Sequence, residues 1–232
     1  MSNQKFQSII AKIETTSVFV IDPTFSKKDY VSLDLSKNNP ELQAVNVSSS
    51  DDLGTYVNQH IKNENGRLGY GGYIETRGIY QRSTHFNEEA NPLDERNIHL
   101  GLDIWIAAGT NVLAALDAEI HSFKNNLNYG DYGPTIILKH QLENFTFYTL
   151  YGHLSVESLS GLEPGKKFKQ GEIIAQLGSA EINGDYPPHL HFQIILDIEN
   201  YKGDYPGVSS VNTLNFYQNN CPDPNWLLGL NS

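Results

Sequence analysis

The stretch that decides the fold reads Pro187-Pro188-His189-Leu190-His191-Phe192-Gln193-Ile194. Two histidines stand two residues apart inside an apolar run. On a β-strand, positions i and i+2 share a face and lie about 6.6 Å apart along the chain. Both imidazoles therefore project one way, and Leu190 and Phe192 the other. The apolar side anchors the strand in a core. The imidazoles can converge on one point, such as a metal ion and the group beside it. Taken alone, the pair reads equally well as two structural histidines with local hydrogen bonds.

Working outward, the chain from Ile98 onward is a series of short β runs separated by turns. The runs are Leu102–Ala107, Val112–Leu116, Glu119–Phe123, Thr135–His140, Thr146–Tyr151, Glu172–Gln176 and Leu190–Leu196. Turn signals at Gly109, Gly133, Gly161, Gly171 and Gly184 punctuate them. Such a pattern predicts an antiparallel sandwich or barrel. Before residue 97 the pattern is mixed. A short amphipathic helix is expected over 5–14, short strands at Val18–Ile21 and Tyr30–Leu35, a helix from Asp51-Asp52 to about Asn63, and a kinked strand over Tyr73–Tyr80. The fold expected is mainly β, with a small α+β N-terminal extension. The working division is 1–96 as extension, 97–200 as the β domain and 201–232 as a C-terminal tail packing on it.

Two further signals lie among these strands. His99-Leu100-Gly101-Leu102-Asp103 places an imidazole and a carboxylate, both good zinc ligands, four residues apart. A fully extended step of that length spans about 13 Å, so a bend must intervene if both bind one ion. Gly101 permits one. Tyr151-Gly152-His153-Leu154-Ser155 ends a β run at a glycine and sets a histidine where a strand end meets a cleft. Each signal alone is weak.

In the order His-x3-Asp, Gly-His-Leu-Ser, His-Leu-His, the three together resemble the M23 family of zinc metallopeptidases, the lysostaphin and LytM type. The flanks His99–Val112 and Gly165–Gly178 and the run Pro188–Phe192 carry the likeness, over about residues 97–197. The resemblance implies a LytM-type domain of antiparallel sandwich or barrel-like form. It implies Zn²⁺ held by His99, Asp103 and His191, with a fourth position left for water. His153 and His189 would flank that water as general base and oxyanion stabiliser, in an order the sequence does not assign. The activity implied is hydrolysis of a peptide bond by metal-activated water, with peptide or peptidoglycan-type substrates. One alternative is a catalytically silent M23-like binding or regulatory module, although all five key positions are intact. A non-haem iron enzyme is the other, but its usual His-x-Asp spacing and distal arginine are missing. Self-blocking of the fourth position by Asn87 or Asn91 is a further expectation to test.

The remaining residues of interest read as structural. His60, His85, His121 and His140 are expected to be solvated or core histidines, and Glu119 and Glu172 surface residues. Arg67, Arg77, Arg82 and Arg96 are expected to make ordinary salt bridges rather than to bind substrate. Tyr129, Tyr132 and Tyr186 are candidates to line the groove. The 232 residues carry a net charge of −11, which argues against a nucleic-acid partner. With only Cys221, neither an internal disulfide nor a CxxC metal site is possible. No run approaches a membrane span, and the start of the chain carries no convincing export signal, so a cytoplasmic location or leaderless export is expected.

Overall fold

A computed structural model of the chain describes residues 3–13, 17–83, 86 and 91–230. In chain order, the first elements are α1 (Asn3–Ile10), β1 (Tyr30–Ser32), α2 (Ser50–Asn63), β2 (Leu68–Gly71), β3 (Ile98–His99) and β4 (Leu102–Trp105). Then come β5 (Asn111–Leu113), β6 (Ala118–Asn126), β7 (Gly133–Leu142), β8 (Phe145–Gly152), β9 (Lys167–Phe168) and β10 (Ile173–Gln176). The chain closes with β11 (His189–Ile195), β12 (Val208–Ser209), α3 (Leu214–Asn220) and α4 (Asn225–Leu228).

The fold is mainly β, as expected. One eight-stranded sheet runs in the order β1-β2-β4-β11-β8-β7-β6-β9, and β10 with β5 and β12 with β3 form two small ladders. The sheet does not close on itself, so no closed barrel exists among the described residues. It is antiparallel throughout except for the β1–β2 pair. Each of the seven β runs expected between 102 and 196 contains a strand.

β11 occupies the middle of the sheet, between β4 and β8. All seven of its residues are buried, so its two faces differ in partners rather than in exposure. Leu190, Phe192 and Ile194 enter the main core beside Tyr151, Ile104 and Ile136. His189, His191 and Gln193 take the other face, as the period-two reading predicts. The register sets His191 opposite Asp103 on one side and opposite Gly152 on the other. Directly opposed residues have Cβ atoms about 4.5–5.5 Å apart, so pairing alone brings Asp103 to His191.

The part of the chain before residue 97 joins the same framework. Phe6, Ile9 and Ile10 of α1 enter the main core, with the Phe6 and Phe147 rings 5.2 Å apart. α2 is capped by Ser49, which accepts from Asp52 N, and buries Leu53, Val57 and Ile61 against Trp105 and Tyr186. β2 extends the large sheet beyond β4. The strand expected at 73–80 lies earlier, at 68–71, and Ile79–Arg82 forms a 3-10 turn instead. Gly66, Gly69, Gly71 and Gly72 read locally as a break in the chain, but Gly69 and Gly71 lie within β2, where neighbouring chain approaches closely. A Cβ on Gly71 would lie 2.2 Å from the Leu33 carbonyl oxygen. Of the strand expected at 18–21, only Ile21 pairs, through a single bridge to Val112. At the far end, Leu227 and Leu228 also enter the main core. No helix among the described residues is long and apolar enough to cross a membrane.

Candidate metal centre

Three strands deliver the polar side chains. β4 carries Asp103, β11 carries His189 and His191, and the two-residue β3 carries His99. Between β3 and β4 the chain bends at Gly101, as the His-x3-Asp spacing requires. A Cβ there would come 2.5 Å from the His191 ring, so no side chain fits between the two halves of the site.

The result is a tight triangle. His99 Nε2 lies 2.8 Å from His191 Nδ1, and each lies 3.3 Å from Asp103 Oδ1. The protons of both rings are committed elsewhere. His99 Nδ1 donates to the Gly72 carbonyl at 2.9 Å, and His191 Nε2 donates to Gln193 Oε1 at 2.9 Å. The Gln193 amide is itself fixed, because its Nε2 donates to the Pro206 carbonyl at 3.1 Å. In the neutral rings, His99 Nε2 and His191 Nδ1 are therefore lone pairs facing one another and a carboxylate oxygen. Asp103 Oδ1 is buried and has no hydrogen-bond donor. Three lone-pair atoms within 4.8 Å of one another repel unless a cation lies between them. The donor set of two imidazoles and a carboxylate, each imidazole backed by an acceptor, fits a divalent metal ion.

His153 and His189 border the triangle. His189 Nδ1 donates to the Pro187 carbonyl and His153 Nδ1 to the Asn183 carbonyl, both at 2.8 Å. Each ring thus keeps Nε2 as a free base, and His189 Nε2 lies 3.9 Å from Asp103 Oδ1. The two rings stand 4.2 Å apart, and Trp105 stacks on the far face of the site against His189, at 4.1 Å and 20°. His153 adopts a left-handed backbone with φ 62°, which turns its side chain back from the end of β8 toward β11.

Burial sets the protonation of these groups. It brings His99 and His189 down to about 4 and holds His153 well below its usual value, so all three rings are neutral at pH 7. Burial alone would push the Asp103 carboxyl up. The Arg77 guanidinium bonded to it, which stays charged where the rings are neutral, outweighs burial and keeps the carboxyl well below its usual range. All five residues open onto a cleft of about 690 Å³.

Tyr132 and Tyr186 line this cleft as expected, whereas the ring of Tyr129 is not in its wall. Asn91 is exposed and bonds Asp94 and Leu93 within its own turn, and Asn87 and His85 lie outside the described residues. His60 bonds the Ser32 carbonyl, His121 the Ser122 hydroxyl, and His140 is buried against Thr149, all outside the cleft. Glu119 pairs with Lys139 and Glu172 accepts from Lys169 N. Arg77 and Arg82 make ion pairs, with Asp103 and Asp185.

Sequence reasoning overlooked the groups behind the site. Gln193 was within reach, because it sits two residues after His191 on the same face of β11. Gly72, Glu75 and Arg77 carry no local signal, and neither does the segment Asp204–Gly207, which lines the cleft.

Residues 97–203, a little under half of the chain, match the model of peptidase family M23. The segment contains all five site residues. Among solved structures, the catalytic domain of the antimicrobial peptidase lysostaphin from Staphylococcus simulans is 22% identical, with 71% of this chain and 97% of that chain covered at a TM-score of 0.41. Csd3 of Helicobacter pylori is 23% identical over 54% of this chain and 34% of its own, at 0.33. A single-site mutant of the catalytic domain of the prophage-encoded M23 protein EnpA from Enterococcus faecalis is 20% identical over 48% and 80%, at 0.36. At these TM-scores the likenesses decide nothing about this chain. No curated protein matches.

Proposed function

We propose that the chain is a zinc-dependent metalloendopeptidase that cuts peptide bonds in peptidoglycan-type peptides. The observation that carries the reading is the triangle of His99 Nε2, Asp103 Oδ1 and His191 Nδ1, with an unpartnered carboxylate oxygen at one corner. The M23 segment supports the class of reaction, and the substrate class follows from that resemblance.

His99, Asp103 and His191 hold the ion. When bound, zinc lowers the pKa of a water molecule and polarises the scissile carbonyl. The neutral His153 and His189 present Nε2 toward the same point. One takes the proton of the attacking water at Nε2 and passes it to the leaving nitrogen; the other, whose Nδ1 proton is held by a backbone carbonyl, donates to the developing oxyanion only after it has itself taken up a proton at Nε2. Their carbonyl partners at Asn183 and Pro187 fix the ring orientation this requires. Both rings are buried in the cleft wall.

Metal analysis of the purified protein tests the reading, with a His191→Ala variant alongside and then hydrolysis of a peptide library and of peptidoglycan fragments. About one zinc per chain, lost in the variant, together with metal-dependent cleavage is the expected result. Bound iron would favour an oxygenase, and zinc without hydrolysis a binding module.

A further inference from the structure

We infer that Arg77, together with Glu75, is the positioning pair that sets Asp103 for the metal. The inference rests on the metalloenzyme reading above. Both residues lie outside the M23 segment, in the turn that follows β2.

Arg77 is buried, and its guanidinium bridges two carboxylates. Nη1 donates to Asp103 Oδ2 and Nε donates to Glu75 Oε2, each at 2.5 Å. The three side chains are 6%, 1% and 11% exposed for Arg77, Asp103 and Glu75, so water does little to screen their charges. The bond to Oδ2 uses one oxygen of the carboxylate and leaves Oδ1 aimed at His99 and His191. Asp103 is thereby fixed as a one-oxygen ligand. Glu75 also ties this turn to the chain around it, because its Oε1 accepts from Leu35 N and its carbonyl accepts from His99 N.

The charges explain why two residues are needed. A guanidinium alone beside Asp103 would cancel the carboxylate and repel a cation. With Glu75 included, two negative charges and one positive remain, and the buried group stays anionic as a whole. Arg77 supplies direction, and Glu75 removes the electrostatic penalty of supplying it. Lysine cannot replace the fork, since an ammonium lacks the planar geometry that bonds both carboxylates at once. The pair also gives opposite expectations for two explanations of Arg77. If its charge merely opposed the ion, removing it would tighten binding. If it positions Asp103, removing it weakens binding.

Zinc affinity measured by competition with a chromophoric chelator separates these cases. The proteins are wild type, Arg77→Gln, Arg77→Lys and Glu75→Gln, each checked for folding by circular dichroism without metal. Arg77→Gln is expected to bind zinc about 10–100-fold more weakly, as other partners of metal ligands do. Arg77→Lys should recover part of the loss, which simple damage to the fold would not allow. Glu75→Gln should weaken binding because the Arg77 guanidinium is left partly uncompensated. Zinc affinity in folded Arg77→Gln equal to or above wild type overturns the inference. Should Arg77→Gln fail to fold, wild-type affinity in Arg77→Lys and Glu75→Gln overturns it equally. A wild-type protein that binds no zinc would instead remove the metalloenzyme reading itself.

Discussion

The two halves of the site are backed in different ways. His153, His189 and His191 are held by Asn183, Pro187 and Gln193, all within the same M23 segment, the last two from only two residues away. His99 and Asp103 are held by Gly72 and Arg77, from the chain before it. One half takes its ring partners from inside that segment. The other depends on β2 and the turn after it being docked. The difference teaches that the M23 segment contains every proposed ligand but does not by itself contain the whole geometry.

Four experiments would break or sharpen that contrast. The largest effect belongs to His191→Ala, which removes a proposed ligand from the half backed within the segment. Bound metal and hydrolysis should both fall to background, read by metal analysis and a peptide-cleavage assay. Next comes His153→Ala, with metal content near one per chain but kcat down about 10²–10⁴-fold, the usual cost of losing a general acid–base group. Losing metal as well would mean that His153 is part of the binding set.

A smaller effect is expected from Gln193→Ala. It leaves His191 Nε2 without its acceptor, and zinc affinity should drop about 10-fold or somewhat more. An unchanged affinity would put the burden of orientation on the strand backbone instead.

The smallest effect is on stability in acid, and it compares the cleft with a histidine outside it. His140 is buried between the Asp117 carbonyl and Thr149, and burial brings it from 6.5 down to about 4. Its folded value lies below its unfolded one, so the unfolded chain binds the proton first as pH falls. The stability it contributes is complete above about 6.5 and is lost progressively toward 4. The thermal midpoint of the metal-free protein should therefore decline between pH 7 and 4.5, and less steeply in His140→Asn. Equal slopes would assign the whole decline to the cleft histidines.

Much of this was legible in the sequence, for physical reasons. Alternation on Leu190–Ile194 gave both faces of the central strand, because a side-chain period of two leaves little freedom once one face is buried. The ligand-type residues were legible because so few residue types bind metals and their spacings are short. The supporting groups were not. Arg77 meets Asp103 across 26 positions of chain, a contact that exists only after β2 has paired with β4. The glycines at 69 and 71 misled the reading for a related reason. Locally they signal a break, and only the neighbouring chain explains them as close contacts inside a sheet.

The position of β11 has a consequence for synthesis. Its neighbours β4 and β8 emerge from the ribosome well before it, and neither is a natural edge. Until His189–Ile195 is delivered, each of them lacks a partner on one side, along backbone that is buried in the finished protein. Unpaired strand edges of this kind are templates for association with other chains. The segment that closes this gap also carries His189 and His191, so the nascent chain loses these open edges in the same step that delivers the last of the proposed metal ligands.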